Sequence, residues 1–141
     1  MAIQFTSAVP QFRVPDVVQT AEYYRDVLGF QIAGYWNGES VTNDPSAPPV
    51  FGIVWRDRVE FFFSRADSSP VRTSGAEFAL DAYVRITGGD DLATELRDRG
   101  ADIIDGPVDR IYNQRELVVK DCNDLVICFG EEIVPSGESS F

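Results

Sequence analysis

Residues 10–30, PQFRVPDVVQTAEYYRDVLGF, contain the end of a strand, a capped helix and the glycine that releases the chain into its next strand. Asp16 follows Pro15 and is positioned to cap the helix, its carboxylate accepting from the first backbone N–H groups, with Gln19 three residues on completing a capping box. Val17, Ala21, Tyr24 and Leu28 recur at helical spacing and make one apolar stripe. Gly29 ends the helix, where the backbone commonly turns left-handed and any side chain is penalised, and Phe30 opens the next strand.

Working outward, residues 8–14 read as a strand with Phe12 and Val14 on one face and Val9, Gln11 and Arg13 on the other. After the helix, residues 30–36 are strand-like and end at the turn pair Asn37-Gly38, and residues 39–49, ESVTNDPSAPP, read as a loop. Residues 50–55 and 59–64 form a hairpin, with Val59, Phe61 and Phe63 toward a core and Glu60 and Phe62 on the opposite side. A two-residue turn puts Phe51, Ile53 and Trp55 on the face of Glu60; a three-residue turn reverses that.

Residues 64–77, SRADSSPVRTSGAE, are polar and read as a connector, after which the order begins again. Leu80, Ala82, Val84 and Ile86 alternate with Asp81, Tyr83 and Arg85, and Asp90 and Asp91 are candidate caps for a helix with Leu92, Ala93 and Leu96 on its apolar face, closing at Gly100. A short strand at Ile103-Ile104, a turn at Gly106-Pro107 and a hairpin of residues 116–120 and 125–129 around residues 121–124 follow. The expectation is one α+β domain over 1–141: two βαβββ modules at about 7–64 and 78–131, a linker at 65–77 and a loose tail at 132–141. The faces carrying Arg13, Glu60, Asp81, Tyr83, Arg85, Glu116 and Cys128 are too polar for a second core. Two such sheets joined as one open, curved mixed sheet would enclose a semi-polar cleft.

Composition narrows the chemistry. The 141 residues contain no histidine, which excludes Ser-His-Asp and Cys-His nucleophilic centres and imidazole-bound metals. The formal charge of -11 argues against nucleic acid and anionic membrane partners. There is no apolar run long enough to span a bilayer and no leader-like start, so a cytoplasmic protein is expected. Cys122 and Cys128 are too few for a disulfide framework and are expected to be reduced, Cys128 buried and inert.

Three pieces in order, VPDVVQTAEYYRDVLGF at 14–30, ELRDRGADI at 95–103 and RELVVKDCNDLVICFGEE at 115–132, resemble the vicinal oxygen chelate superfamily, which includes glyoxalase I, extradiol dioxygenases and the fosfomycin and bleomycin resistance proteins. The resemblance covers residues 7–131 and implies two βαβββ modules and a homodimer. By motif spacing, the four metal-ligand positions of the superfamily's enzymes fall on Val9, Glu60, Asp81 and Cys128, of which only Glu60 keeps the usual residue type. Val9 cannot ligate, and the rest mix hard and soft donors without imidazole, so no metal and no cofactor are expected.

The chain looks most like the metal-free, acidic, bleomycin-resistance-like subgroup, in which aromatic-lined grooves at a dimer interface sequester a cationic, flat-ringed drug. That resemblance implies a small-molecule ligand, with rings from Trp36, Phe51, Trp55, Phe62, Tyr83 and Tyr112 and charge from Arg13, Glu60, Asp81 and Glu116. The alternative is a divergent lyase, isomerase or hydrolase using Glu60 and Asp81 as an acid-base pair, with Arg13 or Arg85 as electrophile. Arg115 and Asp121 are expected in an ion pair or a turn-fixing contact rather than at the ligand.

Overall fold

The structure, a computed structural model, describes residues 2–38, 41–42, 48–66 and 79–133. Its elements are β1 (Gln11–Val14), α1 (Val17–Asp26), β2 (Gln31–Trp36), β3 (Val41–Thr42), β4 (Phe51–Arg56), β5 (Val59–Arg65), β6 (Ala82–Arg85), α2 (Gly89–Asp98), β7 (Asp102–Asp109), β8 (Gln114–Lys120) and β9 (Val126–Glu132). The architecture is α+β, with the βαβββ order given twice once the two-residue β3 is set aside. One sheet runs β1-β5-β4-β2-β3 and the other β6-β9-β8-β7. Each is mixed, because its first strand pairs in parallel with its last long one. Among the described residues no helix is long and apolar enough to cross a membrane.

The described residues fall into two compact units, 2–22 with 30–66 and 23–29 with 79–133. In the first, Gln19 N–H donates to Asp16 Oδ1 at 2.9 Å, a cap of the kind worth about 1 kcal/mol. Val17 and Ala21 are buried with Phe12, Val14, Phe30, Val54, Phe61 and Phe63, and the rings of Phe12 and Phe30 each lie 5.5 Å from that of Phe61. Gly52 lets α1 sit close to the sheet, since a Cβ there would stand 2.8 Å from Val17 Cγ1. Trp55 opposes Glu60 and Arg56 opposes Val59, so the β4–β5 hairpin takes the two-residue turn, with Asp57 at φ 52°.

The apolar stripe of α1 divides between the units. All four of its residues are buried, but Tyr24 and Leu28 belong to the second unit. There Tyr24 OH donates to Asp121 Oδ2 at 2.8 Å, while Asp121 Oδ1 accepts from Asn123 N and Leu125 N at 2.7 and 2.9 Å. One buried carboxylate thus fixes the β8–β9 turn and ties down the last turn of α1. Val84, Ala93, Leu96, Leu117, Val119, Ile127 and Phe129 complete this core.

Several expectations are corrected. The strand expected over 8–14 forms only from Gln11, although Pro10 C=O still accepts from Phe62 N at 3.0 Å. The loop expected over 39–49 contains β3, paired with Tyr35 and Trp36; residues 39–40 and 43–47 lie outside the described residues. The connector from residue 67 and the tail from residue 134 also lie outside them, while Glu132 is still part of β9.

Helix α2 is not capped by Asp90 or Asp91, which sit inside its first turn. Its N-cap is Gly88 at φ 76°, and the free N–H groups of Gly88 and Gly89 donate to the two Glu131 oxygens at 2.8 and 3.0 Å. Those two bonds hold the Glu131 carboxyl below its ordinary value. Gly106-Pro107 does not end a strand either. β7 continues through it to Asp109 with two register shifts, and a Cβ on Gly106 would collide with the Glu116 carbonyl.

Candidate functional site

In the first unit, register gathers six of the expected site residues on the sheet face opposite α1. Gln11 and Ile53 flank Phe62, Arg13 and Phe51 flank Ser64, Glu60 opposes Trp55, and Trp36 opposes Phe51. Phe51, Ile53, Trp55 and Phe62 are half-buried, Trp36 is 45% exposed, and Arg13 and Glu60 are exposed. The Phe51 and Phe62 rings stand 5.3 Å apart at 59°, a tilted pair that leaves ring surface free. This face offers flat apolar contact with one acid and one base at its margins.

The remaining expected residues belong to the second unit and are occupied differently. Tyr83 opposes Cys128, and Glu116 opposes Gly130 on one side and Val108 on the other. Glu116 is only 4% exposed. Its carboxylate accepts from Arg110 Nε at 3.0 Å and from Tyr112 OH at 2.7 Å, and Arg110 Nη2 donates onward to Asp105 at 2.6 Å. Burial pushes the Glu116 pKa up, but hydrogen bonds from Tyr112 and Arg110 and the Arg110 charge outweigh it and leave the group below its ordinary value. The Tyr112 hydroxyl moves the other way, raised by burial and by the Glu116 carboxylate. Glu116 is therefore an internally neutralised ion rather than a free charge for a ligand.

Tyr83 lies against Gly130, where any Cβ would collide with its ring; its hydroxyl donates to Gln114 Oε1 at 3.3 Å, and the Arg85 guanidinium stands 5.8 Å from its ring centre. The Cys128 thiol is fully buried and pushed up to about 12 by burial and then by Glu116, so it stays protonated and unreactive. Of Arg115 and Asp121, the first forms an ion pair with Asp109 at 2.7 Å and the second is the turn-fixing group described above. Sequence reasoning missed Arg110 and Gln114. The signal for Gln114 was its place two residues before Glu116 on an alternating strand.

Asp81 lies just before β6, and its Oδ2 accepts from Val126 N at 2.8 Å, a strand-end contact. The carboxylate pair expected of Glu60 and Asp81 therefore has its second member engaged with backbone. The donor set for a superfamily metal does not fit an ion: the Val9 side chain has no lone pair to give, Asp81 Oδ2 is bonded to Val126 N–H, and Glu60 and Cys128 mix a hard and a soft donor. Among the described residues no three His, Cys, Asp or Glu side chains are grouped as a metal site.

The family model described as the Glyoxalase/Bleomycin resistance protein/Dioxygenase superfamily matches residues 6–129. No curated protein sequence matches the chain. Among solved structures, a glyoxalase-related enzyme from Clostridium phytofermentans is 16% identical with a TM-score of 0.72, over 93% of this chain and 98% of that one. The bleomycin-binding protein of the bleomycin-producing Streptomyces verticillus, complexed with copper(II)-bleomycin, is 18% identical with a TM-score of 0.62, over 95% and 100%. TnmS3, an antibiotic binding protein from Streptomyces sp. CB03234, is 21% identical with a TM-score of 0.59, over 94% and 98%. Likeness at these identities shows the fold. With the family match running from before β1 into β9, the chain belongs to the glyoxalase/bleomycin resistance protein/dioxygenase superfamily.

Proposed function

We propose that this chain is a metal-independent small-molecule-binding protein that sequesters an aromatic ligand against the first unit's open face, as a cytoplasmic homodimer. The observation that carries this reading is the register that puts Trp36, Phe51, Trp55 and Phe62 on one half-exposed face between Arg13 and Glu60. Rings so placed stack on a flat guest, and Glu60 together with the net charge of -11 favours a guest with a cationic group. The fold shared with a bleomycin-binding protein and an antibiotic binding protein supports the same class of ligand. The acid-base alternative loses support because the Asp81 carboxylate is held by Val126 N–H.

Both tryptophans lie on this face, so intrinsic fluorescence reports on it directly. Titration with bleomycin and a panel of aromatic cations is expected to quench that signal. No change at about 1 mM, where an interaction of roughly 4 kcal/mol half-saturates, overturns the reading. Sedimentation of the same protein checks the dimer.

A further inference from the structure

The second unit has a polar group that its own interior does not satisfy. Among the described residues, Gln114 Nε2 is the one buried side-chain nitrogen or oxygen without a hydrogen-bond partner. Gln114 is only 2% exposed, and its Oε1 accepts from Tyr83 OH at 3.3 Å, which leaves the NH2 edge over. A buried amide N–H without an acceptor costs about 1–3 kcal/mol. The neighbouring buried carboxylate, Glu116, is by contrast bonded on both oxygens.

The geometry points to a ligand subsite in the second unit at which Gln114 Nε2 donates to a neutral carbonyl oxygen of a small molecule, with Tyr83 as its cover. The donor selects a group with a lone pair, which an ammonium lacks. Charge narrows the choice further: Glu116, Asp105 and Glu132, which opposes Gln114 across the β8–β9 pair, carry three negative charges against the two positive charges of Arg110 and Arg85, so an anionic acceptor is repelled. Ketones and amides remain. Tyr83 suits the role of cover because it is 38% exposed and rests on Gly130 rather than on a side chain. A side chain there would displace the ring.

This subsite does not rest on the aromatic face of the first unit, and its test reads a different atom. The full-length chain is labelled with nitrogen-15, the Gln114 side-chain amide is assigned, and four probes are titrated: benzamide, acetophenone, benzoate and benzylamine. At about 10 mM, suited to probes with so few contacts, benzamide and acetophenone are expected to shift the Gln114 amide protons while benzoate and benzylamine do not. Gln114→Leu, which keeps the bulk and removes the donor, is expected to weaken benzamide binding roughly five- to tenfold.

The wild-type titration decides the matter even if that variant does not fold. The proposal is overturned if neither carbonyl probe moves the Gln114 amide or if benzylamine moves it most. Movement of the tryptophan indole signals alone supports the first-unit reading and overturns this one. Movement of Gln114 alone supports this subsite and leaves the first-unit reading to the bleomycin titration.

Discussion

The two units present the sheet faces opposite their helices in opposite conditions. On the first, Phe51, Ile53, Trp55 and Phe62 are half-buried and the charges of Arg13 and Glu60 are exposed. On the second, Glu116, Gln114 and Cys128 are buried, and the carboxylate is paired with Arg110 and hydrogen-bonded by Tyr112. The same βαβββ order thus yields one face with apolar surface to spare and another that spends its polar groups on itself. A duplicated scaffold fixes where a face lies. The residues at alternate strand positions decide whether it is open.

The largest test of this contrast uses adjacent residues of one strand. Phe61 is fully buried and Phe62 faces the open side, so Phe61→Ala is expected to cost about 3–5 kcal/mol in urea unfolding and Phe62→Ala about 1 kcal/mol. Equal costs would mean that the first unit's open face is core after all. Next in size is a pair of glutamates. Glu116→Ala strips the buried acceptor from Arg110 and Tyr112 and is expected to cost about 2–3 kcal/mol, whereas Glu60→Ala, at an exposed position, stays within about 0.5 kcal/mol.

Acid titration separates Glu116 from the carboxylate at the β8–β9 turn. Glu116 has a folded pKa below its ordinary 4.5, so its contribution to stability is complete above that value and is lost as pH falls through the folded one. Asp121 is raised above its ordinary 3.8 by burial, despite the hydrogen bonds it accepts, so its contribution is greatest below 3.8 and falls as pH rises through its folded value. Urea midpoints measured between about pH 3 and 6 are expected to lose the acid-side fall in Glu116→Gln and the opposing slope in Asp121→Asn. The smallest effect on stability belongs to Trp36→Ala, within about 0.5 kcal/mol, yet bleomycin binding read by the fluorescence of Trp55 is expected to weaken about tenfold.

Much of the fold was legible because its signals are local. Asp16, the α1 stripe, Gly29, Gly100 and the alternation of β5 each act within a few residues. What escaped depends on distant partners. The stripe of α1 gave no sign that Tyr24 would bond to Asp121, and the acidic residues Asp90 and Asp91 pointed to a local cap where Glu131 supplies it. At the site, parity was enough to assemble the aromatic face once the hairpin turn was known. Parity also put Glu116 with Tyr83, but the neutralising Arg110 reaches it from the β7–β8 connection, which no alternation rule describes.

The Glu131 cap also imposes an order of events on a nascent chain. Gly89 leaves the ribosome 42 residues before Glu131, an interval of several seconds at about 5–20 residues per second. A helix of ten residues such as α2 is too short to persist alone, and its first N–H groups have no carboxylate until the final strand arrives. The second unit therefore closes late and all at once, with the last strand as its latch.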